Sequence, residues 1–174
     1  EIGRLDAYKA TTSSADSRTQ AMDSALQNIV DKIQEALVAV ASAQGSTATQ
    51  DVRNSAAATI DGVRNAIAAD INASFGGSHL FAGGASDQAP YVQSGGAWIY
   101  QGDNTPVTVD IADGRTAHIG MDGQAIMQGS ASQDMLSMLD TLASDIRAGN
   151  VAGMASGTQD LNAAQARVGT ALAT

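Results

Sequence analysis

The apolar positions of this chain fall into periodic stretches at its two ends, separated by a middle segment with a different rhythm. Ile2, Leu5 and Tyr8 open a first helical segment that passes through a polar patch from Thr11 to Asp16. From Met22 the pattern is firm, with Met22, Leu26, Ile29, Ile33, Leu37 and Val40 separated by steps of three or four. Such spacing puts all six on one stripe of a helix, in the manner of a heptad seam. A helix from about Ala15 to Ala43 would be roughly 40 Å long at 1.5 Å per residue. Gly45 is placed to stop it. Thr47 with Gln50 three residues on predicts a capping box for a second helix, whose seam is Val52, Ala56, Ile60, Val63, Ile67 and Ile71. The short connection predicts an antiparallel hairpin, with the two stripes forming an intramolecular core.

The stretch from Asn72 to Asp103 changes the pattern. Gly76-Gly77 and Gly83-Gly84 break the helix, and Phe75, Phe81, Tyr91, Trp98 and Tyr100 all lie here in a chain with few other aromatics. Trp98-Ile99-Tyr100 reads as a short strand. Val107 to Ile111 alternates with one apolar face, and Asp113-Gly114 turns it into Thr116 to Ile119 as a hairpin partner. Asp122-Gly123 marks a second turn, with Ala125 to Met127 as a last short strand.

Helical spacing then returns. Ser130 with Gln133 is a candidate capping box for a third helix carrying Met135, Leu139, Leu142 and Ile146 on one face. Gly149 stops it and Asn150 caps a fourth helix with Met154, Leu161, Val168 and Leu172, whose start Gly153 and Gly157 weaken. Periodicity still running at Leu172, and a first residue Glu1 rather than methionine, predict a piece cut from a longer chain. The fold class expected is therefore mainly α with a β-rich insert (α+β): a long antiparallel helical bundle or coiled coil interrupted by a small β-hairpin subdomain. Residues 1–75 and 130–174 would form a discontinuous α-helical core domain, and 76–129 the insert.

Composition narrows the function. Nine basic against 18 acidic residues give a formal net charge of −9, and the basic residues are scattered. This disfavours nucleic acid and anionic membranes as partners, because both need clustered Lys and Arg. With no cysteine there are no disulfides, thiolate metal sites or cysteine nucleophiles. No apolar run approaches the roughly 18 residues of a membrane span, and no secretory signal opens the chain. Abundant small side chains bury little area per contact, so stability would come from long seams or from neighbouring subunits.

Candidate chemistry is thin. His79 and His118 are the two histidines, and neither has a partner at metal-ligand spacing. A surface or cross-strand role is expected for both. Asp87, Asp103, Asp110, Asp113 and Asp122 match no calcium loop, and turn chemistry accounts for them better. No nucleophile elbow, P-loop or dinucleotide fingerprint is present. Asn72-Ala73-Ser74 is a formal glycosylation sequon, but it falls at a helix end. No catalytic, cofactor-binding or metal residues are assigned, and no enzyme is expected.

One resemblance is more specific. Asn72, then Gly77-Ser78-His79-Leu80-Phe81-Ala82-Gly83, Pro90-Tyr91 and Tyr100-Gln101-Gly102-Asp103 are similar, in order and spacing, to the bacterial flagellin family, and more to its hook–filament junction branch than to its filament subunits. His79 stands where the family pattern has tyrosine, and Tyr91 where it has phenylalanine. Asp122 to Met127 is similar to a later turn-strand of the family, and Ala166-Arg167-Val168-Gly169 to its terminal helix motif. The resemblance implies a structural part of the bacterial flagellum, exported through the flagellar type III apparatus and assembled outside the cell. It implies like subunits in a ring, a neighbouring hook-associated protein, and flagellin or the filament cap as partners. It implies no nucleic acid, no membrane and no cofactor. A piece without the family's terminal core helices would be monomeric. A filament subunit, or a secreted adhesin-like interaction protein, is the alternative.

Overall fold

The computed structural model describes residues 2–112 and 114–173, with side chains from Asp6 onward. Helices α1 (Ile2–Gln44) and α2 (Gln50–Ile71) come first. Six short strands follow: β1 (Ser74–Phe75), β2 (Ser78–His79), β3 (Tyr91–Ser94), β4 (Ala97–Tyr100), β5 (Thr108–Ala112) and β6 (Arg115–His118). The chain then returns to helix in α3 (Gly123–Met127), α4 (Met135–Ala148) and α5 (Val151–Leu172).

The four long helices close a ring of neighbours: α1 packs on α2, α2 on α4, α4 on α5, and α5 back on α1. Each helix therefore needs an apolar face broad enough for two partners, wider than a single heptad stripe. Alanines supply the difference. Ala25, Ala36, Ala39 and Ala43 are buried beside Met22, Leu26, Ile29, Ile33 and Val40, while Leu37 is only half-buried. On α2 the predicted seam is buried from Ala56 to Ile71, but Val52 lies exposed near the connection. Met135, Leu139, Leu142 and Ile146 of α4 meet Met154, Leu161 and Val168 of α5 in the same core. Gly157 lets these two helices close up: a Cβ there would stand 2.6 Å from a Leu142 methyl.

Helix α1 is continuous through the polar patch, because the Thr11 and Ser17 hydroxyls donate to carbonyls one turn back rather than competing with the helix. At 43 residues it is about 64 Å long and overruns the bundle. Its first half carries the β5–β6 hairpin instead of a helix. Each hairpin stands alone as a two-stranded antiparallel sheet: β1–β2, β3–β4 and β5–β6. The β3–β4 turn is Gly95-Gly96, with φ of 60° and 84°, a left-handed pair that matches the twist of the flanking strands. The β3 partner of the predicted Trp98–Tyr100 strand carries no alternating pattern long enough to read.

Three predicted details move. Ala125 to Met127 lies in helix α3, not a strand, because the Asp122 carboxylate caps it by accepting from the Gln124 amide. Helix α2 is capped by Thr49 rather than Thr47, and Gln50 reaches instead to the Arg147 carbonyl of α4 at 3.0 Å. Helix α4 is capped by Asp134 rather than Ser130; its carboxylate accepts from the amides of Leu136 and Ser137. In both cases a better-placed side-chain oxygen lies just downstream.

Candidate functional site

The residues singled out between Asn72 and Asp103 converge at one joint between bundle and insert. Asn72 caps the end of α2, and its side chain clamps the backbone of Tyr91 both ways. Its Nδ2 donates to the Tyr91 carbonyl at 2.8 Å, and the Tyr91 amide donates to its Oδ1 at 2.8 Å. The Asn72 amide of the sequon is thus occupied within the chain. His79 Nδ1 lies 2.8 Å from the Asn72 carbonyl, so His79 serves the same joint. Leu80 and Phe81 are buried in the bundle core, which plugs the insert into the helices.

Gly83 has φ of 60°, and a Cβ would overlap the Asp103 carbonyl, so only glycine suits the site. The Asp103 carboxylate then accepts from the Gly84 amide at 2.6 Å and the Thr105 amide at 2.9 Å. Those amides, Thr105 first, hold its pKa below the ordinary 3.8. The Tyr100 hydroxyl stands among three acceptors: the carbonyls of Phe81 and Asp103, each at 3.2 Å, and Asp122 Oδ1 at 3.3 Å. Burial, followed by the Asp122 charge, pushes its pKa up to about 12. Its ring packs against Tyr91 with centroids 5.2 Å apart. Burial also raises the Tyr91 phenol.

Two arginines fasten the insert to the helices. Arg18 of α1 donates through Nε to the Ile119 carbonyl and through Nη2 to the His79 carbonyl at 2.9 Å. Arg167 of α5 donates to the carbonyls of Ile126 and Met127, at 3.4 and 3.2 Å. Burial lowers the pKa of both. Arg167 lies in the quoted Ala166–Gly169 motif, but Arg18 escapes the sequence reading. The available signal is its register: Arg18, Met22 and Leu26 are four apart, which places a cation on an apolar stripe.

The remaining candidates stay apart from the joint. His118 is exposed on β6 opposite Thr108. Asp87 and Asp110 are exposed, and Asp113 lies outside the described residues. Among the described residues no three His, Asp or Glu gather into a metal-holding group, and no helix is long and apolar enough to cross a membrane. What the joint does is mechanical: it fixes backbone to backbone through side chains that each bridge two segments.

Residues 1–86 match the profile of the bacterial flagellin N-terminal helical region. No curated protein matches the sequence. Among solved structures, the fold is similar to a protein of Vibrio parahaemolyticus described as a flagellar hook-associated protein, with a TM-score of 0.90 at 20% identity over 97% of this chain and 77% of that one. It is similar to Xanthomonas campestris FlgL, with a TM-score of 0.89 at 15% identity over 99% of this chain and 90% of that one. For Bacillus cereus FlgL the TM-score is 0.83 at 13% identity, over 99% and 82%. At such identities these likenesses speak for the shared fold alone. The N-terminal helical region and the motif residues of the joint complete the picture: the chain belongs to the bacterial flagellin family.

Proposed function

We propose that this protein is a junction subunit of the bacterial flagellum, joining hook to filament. A structural role in the flagellum follows from the family. What carries the finer reading is the size and plan of the insert: three separate hairpins in a chain whose architecture runs over 90% and 82% of the length of FlgL proteins from two genera. Residues 1–75 with 130–174 act as the load-bearing rod, and 76–129 as an outward subdomain held rigidly by the Asn72, Arg18 and Arg167 clamps. Like subunits would sit side by side in a ring, between a hook-associated protein below and flagellin or the filament cap above. Export through the flagellar type III apparatus and an extracellular position belong to the same proposal. No catalytic step is assigned to it.

The test is to label the insert near the Gly114 turn in the full-length protein and image intact flagella. A single focus at the base of each filament is the expected result. Label along the whole filament would make the protein a filament subunit, and an unlabelled flagellum would remove it from the organelle.

A further inference from the structure

Among the described residues, Arg18 is a buried cation that no carboxylate answers. It is 7% exposed, and burial lowers its pKa with no nearby charge to offset the effect. Lys32, Arg64 and Arg147 each meet a carboxylate, and Arg167, the other arginine of the joint, has Asp160 in range. Arg18 has carbonyls only. Withdrawing a guanidinium from water is costly unless an opposite charge compensates it, and carbonyl dipoles do so in part. They also leave donors over. The Ile119 carbonyl takes Nε and the His79 carbonyl takes Nη2, which form one edge of the guanidinium fork, so Nη1 has no acceptor. Nor is Nη1 sealed from solvent: among the described residues, the buried side-chain atoms without a partner are Tyr91 Oη and Trp98 Nε1.

The space beside Arg18 adds an independent observation. Arg18 lines a groove of about 310 Å³ between the first half of α1 and the β5–β6 hairpin. Ala10, Ala15, Val109 and Ile119 give it apolar walls, and no acidic side chain lines it. Ser14 also faces it, and Ala10, Ser14 and Arg18 stand four apart on one face of the helix. The Ser14 hydroxyl therefore offers a second donor on the side of the guanidinium. In a chain of formal net charge −9, this is a cationic spot framed by apolar walls. Small-ligand sites have that make-up, mostly apolar with a few polar groups that fix orientation.

We propose that this groove binds a carboxylate carried on a short aliphatic stem, with the carboxylate on the free edge of Arg18 and the Ser14 hydroxyl and the stem against Val109 and Ile119. One cation with few spare donors matches a monoanion. A phosphate dianion asks for more donors than the groove holds, and a neutral ligand leaves the guanidinium uncompensated. A free organic acid and an exposed Asp or Glu of a second copy carry the same chemistry, and the test separates them. The proposal goes beyond the junction reading and does not rest on it, so its failure would leave the labelling result untouched.

The probe is sodium butyrate, titrated at constant ionic strength into the whole protein labelled with nitrogen-15. NMR follows the Arg18 Nε–H and the amides of Ala15, Val109 and Ile119. Saturable shifts are expected in the millimolar range, with butyramide, the neutral isostere, at least about tenfold weaker. Ala15→Leu fills the groove without touching the clamp and should weaken butyrate by about tenfold or more. Ala152→Leu, at an exposed alanine of α5, should leave it unchanged. Arg18→Gln should abolish saturation, and because Ala15→Leu keeps the clamp, it decides the matter even where Arg18→Gln unfolds the joint. Self-association by light scattering that both butyrate and Ala15→Leu abolish assigns the carboxylate to a second copy. A protein that binds butyrate and stays monomeric assigns it to a free organic acid. Equal binding of butyramide, displacement of butyrate by inorganic phosphate at equal concentration, binding indifferent to Ala15→Leu, or no saturable shift overturns the proposal.

Discussion

Single side chains decide whether the insert is rigidly held, and Asn72 shows this most directly. Its amide satisfies both backbone groups of Tyr91 at once, as acceptor and as donor. Asn72→Ala would leave a partly buried N–H and C=O without partners, at a cost of about 2–3 kcal/mol, since an unmade buried hydrogen bond forfeits the desolvation of each group. Thermal or urea unfolding checks this; a loss below about 0.5 kcal/mol would mean that water replaces the clamp. The importance of Asn72 was legible in the sequence as part of an ordered motif, but its task was not. A sequon reading and a clamp reading use the same letter, and only the 2.8 Å geometry separates them. Arg18 was the harder case. A cation on an apolar stripe is a signal only once the stripe's other partner is known to be a row of carbonyls from the insert.

Elements were legible in proportion to their length. The four long helices announced themselves by spacing, and Gly149 with Asn150 marked the α4–α5 boundary where it stands. Short segments lacked that redundancy. In Ala125-Ile126-Met127, three residues fit a strand as well as a helix, and the cap at Asp122 decided for helix. Strand β3 needed its partner β4 to become visible. Glycine within helices was misleading in another way, because composition alone treats every such glycine as a weakness. Gly157 faces Leu142, itself buried, so Gly157→Ala should destabilise by about 1 kcal/mol, the overpacking outweighing the gain in helix propensity. Gly62 faces open space, so Gly62→Ala should stabilise the isolated protein by about 0.5–1 kcal/mol. Urea midpoints of the two variants should shift in opposite directions, and a shift of the same sign in both would show that packing at Gly157 is loose.

At the scale of the whole molecule, bundle and insert are joined but differ in what holds them. Apolar side chains fill the bundle core, and the α2–α4 flank is tied by Arg64 to Asp140 and by Arg147 to Asp61. The joint relies on ionisable groups whose protonation matters. Asp103 acts on the acid side: its lowered pKa makes its contribution complete above the ordinary 3.8 and lost as pH falls through the lowered value. Tyr100 acts on the alkaline side. Its phenol is raised from 10.0 to about 12, so the fold favours the neutral form. That contribution is whole below pH 10 and lost as pH rises to about 12, where the unfolded chain ionises and the folded one resists. Tyr91, raised by burial against the same ring, strengthens the effect. The insert should therefore loosen between about pH 10 and 12 while the helices persist. In a Tyr8→Phe background, phenolate absorbance would report Tyr91 and Tyr100, near-UV circular dichroism the packing around Trp98, and far-UV ellipticity the bundle. The expected order is loss of the near-UV signal together with tyrosine ionisation, ahead of any loss of helix. Tyr100→Phe should weaken that alkaline step, because one of its two ionising phenols is gone while the ring still packs. Simultaneous loss of all three signals would show that the joint and the bundle unfold as one unit, and that the clamps transmit load into the helices rather than yielding first.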